Sequence, residues 1–281
     1  MELSKEKSSQ KNKETLNEKS LFEQAERFEL FDVDGAKVPK FYGLRNPLDK
    51  KQVYCTVTNV YKILQHDEAY QTIVDACDSL LMENKITWKK INDGARYRWT
   101  VRFPNTKIQL GEEGELITCT ITFDNSYDKS TGARNTLAGV YRGIRIPANK
   151  TFFNTYYARH TNSMDMTEAQ KVIQSNLEGY IKEVSKKWQK YYETQINQQN
   201  LINELNFLID KKEEKKKIPV SKKYLKGFMS FLIKNDYNNI WDVYTMFCDV
   251  LTAEKASIDV YDRVAEYMEN WLQKNYQTIS R

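Results

Sequence analysis

The segment Ala95-Arg-Tyr-Arg-Trp-Thr-Val-Arg-Phe103 constrains this chain more than any other. Side chains alternate faces along a strand. Tyr97, Trp99, Val101 and Phe103 therefore point one way, and Arg96, Arg98, Thr100 and Arg102 the other. One face is aromatic and suits a core. The other carries three arginines and is met by water with acids from neighbouring strands opposite, or by the phosphates of a nucleic acid.

The surrounding sequence supplies the rest of a sheet. From Lys37 to about His160 the chain is rich in β-branched and aromatic residues, with turn signals at short intervals. Val53–Tyr61 alternates as a strand, whereas Glu68–Leu81 spaces its apolar residues as a helix. Strand candidates follow at Ile86–Ile91, Ala95–Phe103, Glu115–Phe123, Ala133–Ile146 and Thr151–Arg159. Asn92-Asp93-Gly94 and Asp124-Asn125-Ser126 read as turns between them. Short connections of this kind predict an antiparallel sheet.

After His160 the pattern turns helical. Thr167-Glu-Ala-Gln170 matches a capping box with Thr167 as N-cap. Ala169, Ile173, Leu177, Ile181, Val184, Trp188 and Tyr191 then mark one face of a long helix, extended through Leu201, Leu205 and Leu208. That stripe fits packing on the chain's own sheet, or a homo-oligomer seam. Three further helices are predicted: one capped by Ser221, one over Asn238–Leu251 and one from Ser257. The fold class is α+β, an antiparallel sheet with flanking helices, a long helix and a helical C-terminal unit. The boundaries read as a disordered tail over 1–20, an α+β domain over 21–210, a charged linker over 211–219 and the helical unit over 220–281.

Several function classes fall away. No run approaches the ~18 apolar residues of a membrane span, and Met1–Ser20 has no secretory h-region. Cys55, Cys77, Cys119 and Cys248 are scattered, which fits reduced thiols in a cytoplasm. With only His66 and His160 besides, no zinc-ligand pairing appears. Asp124–Ser130 fails as a calcium loop, because Lys129 and Asn135 stand where glycine and glutamate are required. No Walker A, Rossmann or nucleophile-elbow motif is present, so no metal, cofactor or catalytic residue is assigned.

Charge is unevenly distributed. The net charge is +5, yet residues 85–160 carry 13 Lys and Arg against 6 Asp and Glu, giving 13 − 6 = +7 and leaving −2 for the remainder. Arginine forks suit phosphate oxygens, and a positive groove with aromatics holds single strands. Arg96, Arg98, Arg102, Lys107, Arg134, Arg142 and Arg145 are the candidate nucleic-acid-binding residues.

Several segments together resemble the phage/plasmid-like family of unknown function numbered nine-three-two. Lys37-Val-Pro-Lys-Phe-Tyr-Gly-Leu-Arg45, then Val60-Tyr61 and His66-Asp-Glu-Ala69, resemble its start. Asp124-Asn-Ser126-Tyr-Asp128 sits where the family has an N-S-x-D-G-S turn, with Lys129 in place of the glycine. Tyr141-Arg142, Ala158-Arg-His160-Thr161 and Ile240-Trp-Asp-Val-Tyr244 follow in the family's order. The resemblance implies a mobile-element origin and a role in phage DNA metabolism. The layout is also similar to that of single-strand annealing proteins of the Rad-fifty-two type, where a helix precedes a basic antiparallel sheet. Asp124, Ser126, Asp128 and His160 are carried as motif residues without an assigned role. His160 reads as a phosphate or proton-transfer group, or as a structural residue bonding a backbone carbonyl.

Three functions are expected to compete. The first is binding of nucleic acid, single-stranded DNA above all, in a host cytoplasm, supporting recombination or replication without covalent chemistry. The second is a protein–protein module acting on a host or phage partner through Trp241, Tyr244, Tyr261 and Trp271. The third is a metal-dependent nuclease using Asp124, Asp128 and His160.

Overall fold

Two antiparallel sheets organise the chain. The computed structural model describes residues 20–80, 82–111, 116–148, 157–158, 160–161, 165–213 and 218–279. The small sheet has the order β1 (Glu26–Phe31), β2 (Lys37–Arg45), β3 (Val53–Thr58). The large sheet runs β4 (Lys85–Ile91), β5 (Arg96–Gln109), β6 (Leu116–Ser126), β7 (Ala133–Tyr141), β8 (Ile144–Pro147), each beside the next, and the short β9 (Tyr157–Ala158) pairs with β7. The α+β class and the antiparallel pairing are therefore as the sequence predicts. β1 lies ahead of the strand-rich region placed from Lys37.

Helix α1 (His66–Ser79) follows the small sheet and buries Ala69, Ile73, Ala76 and Cys77. The helical half comprises α2 (Met166–Gly179), a π turn over Tyr180–Val184, α3 (Ser185–Glu193), α4 (Gln198–Glu213), α5 (Lys222–Lys234), α6 (Ile240–Ala253) and α7 (Ile258–Ile279). Ser221 caps α5, accepting the Tyr224 amide, and Asn239 caps α6, accepting the Asp242 amide. No helix among the described residues is long and apolar enough to cross a membrane.

One apolar core joins sheet and helices. Tyr97, Trp99, Val101 and Phe103 face it with Ile121, Phe123, Leu137 and Ile146, and α6 sinks into it through Trp241, Tyr244, Phe247 and Leu251. Trp188 of α3 crosses the sheet at Gly139, where an added Cβ would stand 2.8 Å from the indole. Trp241, Tyr244 and Tyr261, read from sequence as contact residues for a partner, are core residues, while Trp271 is partly buried.

Four local readings are corrected. Ala133–Ile146 is not one strand but a hairpin. Arg142 and Gly143 both hold positive φ, 48° and 79°, as a two-residue type I′ turn requires. Asp124-Asn125-Ser126 is not a turn but the paired end of β6, because the bonds of Asp124 to arginines, of Asn125 to Leu64 and of Ser126 to Thr131 outweigh turn composition; the turn begins at Tyr127. The cap of α2 is Asp165, whose carboxylate accepts the Thr167 amide at 2.8 Å, so Thr167 is already inside the helix. The long helix stops at Glu193, because Thr194 and Ile196 turn their backbone groups to Ile240 and Asn238. Most of the tail, most of the Thr151–Arg159 strand candidate, the middle of the charged linker and the side chains of Ala169, Ile173, Leu177 and Ile181 lie outside the described residues.

Candidate nucleic-acid interface

β4 and β5 carry seven cations, Lys85, Lys89, Lys90, Arg96, Arg98, Arg102 and Lys107, and no acid. Register decides where they point. Lys85 pairs with Arg102, Lys89 with Arg98 and Thr87 with Thr100. On the other side of β5, Arg102 pairs with Thr120, Thr100 with Thr122 and Lys107 with Thr118. Directly paired residues share a face, so Lys85, Lys89, Arg102 and Lys107 all lie on the face opposite the core, around a rung formed by Thr87, Thr100, Thr122 and Thr136. All four cations are exposed, and none makes an ion pair with another described residue. Lys90 lies on the core face and pairs with Glu23.

The arginines at the start of β5 have another environment. Arg96 and Arg98 are 5% and 6% exposed, so this end of the face is closed rather than open to solvent. Their acid comes from the neighbouring strand. Asp124 of β6 accepts from Arg98 Nε at 2.8 Å and Nη2 at 2.7 Å, from Arg96 Nη2 at 3.1 Å and from Arg134 Nε at 3.2 Å. A second carboxylate, Asp259 in the first turn of α7, meets the outer edge of the same guanidiniums. Burial alone would raise the Asp124 pKa, but the Arg98 bonds, then the charges of Arg98, Arg96 and Arg134, outweigh it and hold the carboxyl below its ordinary value. The same opposition, with Arg96 first among the lowering groups, leaves Asp259 at about 2. Arg145 is likewise engaged, with Asp262 of α7 and with Thr136 Oγ1 at 3.2 Å. Arg142 is exposed on the β7–β8 turn, over the Tyr141 ring.

Of the seven sequence-predicted residues, Arg102 and Lys107 thus stand on the open basic face, Arg96, Arg98 and Arg134 form a carboxylate-bound cluster, and Arg142 and Arg145 sit at the far hairpin. Lys85 and Lys89 belong to the open face and were missed as candidates. The signal was available: a hairpin turning at Asn92-Asp93-Gly94 sets Lys85 opposite Arg102. Trp88, on the free edge, points to the other face, where it pairs with Trp99 and meets Phe22 and Tyr70, and is 51% exposed.

The motif residues build the junction of the two sheets. Asn125 donates to the Leu64 carbonyl at 2.9 Å and stands 3.0 Å from His66 Nδ1. Ser126 Oγ donates to the Thr131 carbonyl and accepts its amide, closing the turn. Tyr127 OH accepts the His66 amide and donates to Gln65. Asp128 accepts from Ser130 N and Asn92 Nδ2, and Lys129 holds the left-handed φ of 61° at the position where the resembled family has glycine. His160 stacks on Tyr61, ring centroids 5.1 Å apart, and its carbonyl accepts the Lys62 amide. No hydrogen bond joins Asp124, Asp128 and His160 among the described residues. Nor do three His, Cys, Asp or Glu side chains there converge as metal ligands do.

Both histidines are buried, and burial lowers their pKa values, His66 to about 3 and His160 to about 4, partly offset by the Gly94 and Lys62 backbones. The unfolded chain protonates them near 6.5 while the folded chain does not, so the unfolded state binds more protons below that pH. Unfolding free energy should therefore fall by about 1.4 kcal/mol per pH unit for each histidine as pH drops from ~6 towards ~4. Urea titrations at pH 7, 6 and 5 check this, and equal midpoints at all three would refute it. No protein-family model matches the chain, and no curated protein matches it.

Proposed function

We propose that this protein binds nucleic acid, single-stranded DNA foremost, through the β4–β5 half of its large sheet. One observation carries the reading: Lys85, Lys89, Arg102 and Lys107 share an open sheet face that holds threonine hydroxyls and no acid on either strand. Cations and hydroxyls without aromatics on that face suit the phosphodiester backbone rather than base edges, which gives affinity without sequence readout. Trp88 adds the reason for preferring a single strand. It is a half-exposed indole on the free edge, on the opposite face from these four cations and edge-on to Phe22 and Tyr70, where a base of a strand that turns over the sheet edge can stack. The ordered likeness to the phage/plasmid-like family supports placing this role in recombination or replication of a mobile element, in the cytoplasm of its host, without covalent chemistry.

The test is a fluorescence-anisotropy titration of a labelled oligonucleotide at several salt concentrations. Binding should weaken with salt. The variant with Lys85, Lys89, Arg102 and Lys107 all changed to alanine should flatten the logarithmic salt slope by about 0.7 for each lost contact to a single strand. Trp88 fluorescence should be quenched on binding. No change in anisotropy at low salt would end the proposal, and an unaltered slope in the fourfold variant would move the surface elsewhere.

A further inference from the structure

We infer that the outer mouth of the Arg96–Arg98–Arg134 cluster is a phosphate seat, held closed by Asp259. The inference rests on the nucleic-acid reading for its ligand and adds a regulatory contact to the same sheet face.

Two carboxylates serve these three arginines, and they differ. Asp124 is 1% exposed and occupies the inner side, taking both Arg98 nitrogens at 2.8 and 2.7 Å and one face of Arg96 and Arg134. Every arginine of the cluster therefore already has a buried counter-ion. Two nitrogens that Asp124 does not use, Arg96 Nη1 and Arg134 Nη2, are directed to Asp259, and two that it shares lie beside them. Arg96 Nη1 lies 3.0 Å and Arg96 Nη2 3.4 Å from the Asp259 oxygens, Arg134 Nη2 bonds the same carboxylate, and Arg98 Nη2 is 4.0 Å away. The Asp259 side chain itself is 49% exposed. It is thus an anion held at the solvent boundary by the Arg96 fork and one Arg134 nitrogen, with Arg98 beside them, a divergent set of donors that suits a tetrahedral oxyanion at least as well as a planar carboxylate.

Charge arithmetic points the same way. Three arginines against Asp124 and Asp259 leave the cluster at 3 − 2 = +1, and turning Asp259 into solvent leaves 3 − 1 = +2. Of the two carboxylates only Asp259 reaches solvent, where water can take over its bonds. Asp259 can therefore leave by a side-chain rotation while Asp124 keeps the arginines in place. A phosphate entering at that point would join the exposed Lys85–Arg102 end of the face to the cluster, lengthening the track along the sheet.

The experiment compares the full chain with Asp259→Ala, and with Asp259→Asn as the variant that keeps side-chain size and removes only the charge. Each is titrated with a labelled single-stranded oligonucleotide and, separately, with inorganic phosphate by calorimetry. Loss of the gating charge should tighten oligonucleotide binding about tenfold at low salt, the size of one charge-assisted contact, and steepen the salt slope by about 0.7. Phosphate alone should bind the variants and weaken their oligonucleotide binding. If the wild-type chain binds the oligonucleotide and both variants bind it equally well, the seat is refuted and the nucleic-acid reading stands. If no chain binds the oligonucleotide but the variants bind phosphate, the seat stands as a small-phosphate site and the nucleic-acid reading falls. If the variants bind neither, the seat is refuted.

Discussion

Asp124→Ala is expected to destabilise the protein by about 3–5 kcal/mol, the usual cost of removing one partner from a buried ion cluster. The substitution removes the shared acceptor of Arg98, Arg96 and Arg134 in the middle of the large sheet. Two of those guanidiniums are almost wholly buried, so water cannot replace the lost bonds, and Asp259 faces only their outer edge. The like charges of Arg96 and Arg98 on β5 and Arg134 on β7 would then repel across β6. Asp124→Asn should cost less than Asp124→Ala, since the amide oxygen still accepts one bond, but its NH₂ group would face cations. The contribution has a defined pH range. Because the folded carboxyl lies below its ordinary value, its stabilisation is complete above the unfolded pKa near 4 and is lost as pH falls through the folded one. Chemical denaturation of Asp124→Ala at pH 7 checks the magnitude, and a loss under 1 kcal/mol would show that the cluster is not structural. An Arg98→Met/Asp124→Ala cycle should return a coupling of about 1–3 kcal/mol.

That cluster also marks where sequence reasoning stopped. The alternation over Ala95–Phe103 sorted aromatic from basic residues correctly, because strand geometry alone decides it. It left open whether the basic face meets water or acids. The answer depended on register, which set Asp124 beside Arg98, and on a contact from Asp259, 163 residues from Arg96 along the chain. Neither is a local property. Asp124-Asn-Ser126 has turn composition, and only its cross-strand partners make it the end of a strand. The Arg142-Gly143 turn was missed when Ala133–Ile146 was read as one strand, although its signal is local: glycine after a residue able to take positive φ, between two apolar stretches. The helix starts at Ser221 and Asn239 follow local capping chemistry and were read to within a residue or two. The junction held by His66, Asn125 and Tyr127 was not, because its bonds join α1 to the end of β6 across about sixty residues.

The second large effect lies in the helical half. Lys187 of α3 and Glu269 of α7 form an ion pair with a 2.6 Å Nζ–Oε1 separation, and Glu269 is fully buried. Tyr191 OH donates to the same Oε1 at 3.1 Å and accepts in turn from Gln273, whereas Glu269 Oε2 has no hydrogen-bond partner among the described residues. Burial, then the nearby Glu269 charge, raises the Tyr191 pKa, so its proton stays available for this bond. A half-satisfied carboxylate in an apolar interior stabilises little by itself, yet each partner keeps the other from standing as a lone buried charge. Lys187→Met and Glu269→Leu are therefore each expected to lower stability by about 3–5 kcal/mol. The double variant should recover most of that loss and lie within about 1–2 kcal/mol of the parent, or above it, because an apolar pair of similar volume needs no desolvation of ions. Thermal and urea unfolding of the four proteins checks this. Additive losses in the double variant would mean that the two side chains act through packing rather than charge. Oligonucleotide affinity should not follow these changes in any folded variant, since Lys187 and Glu269 lie in the helical layer and Lys85, Lys89, Arg102 and Lys107 on the opposite face of the sheet.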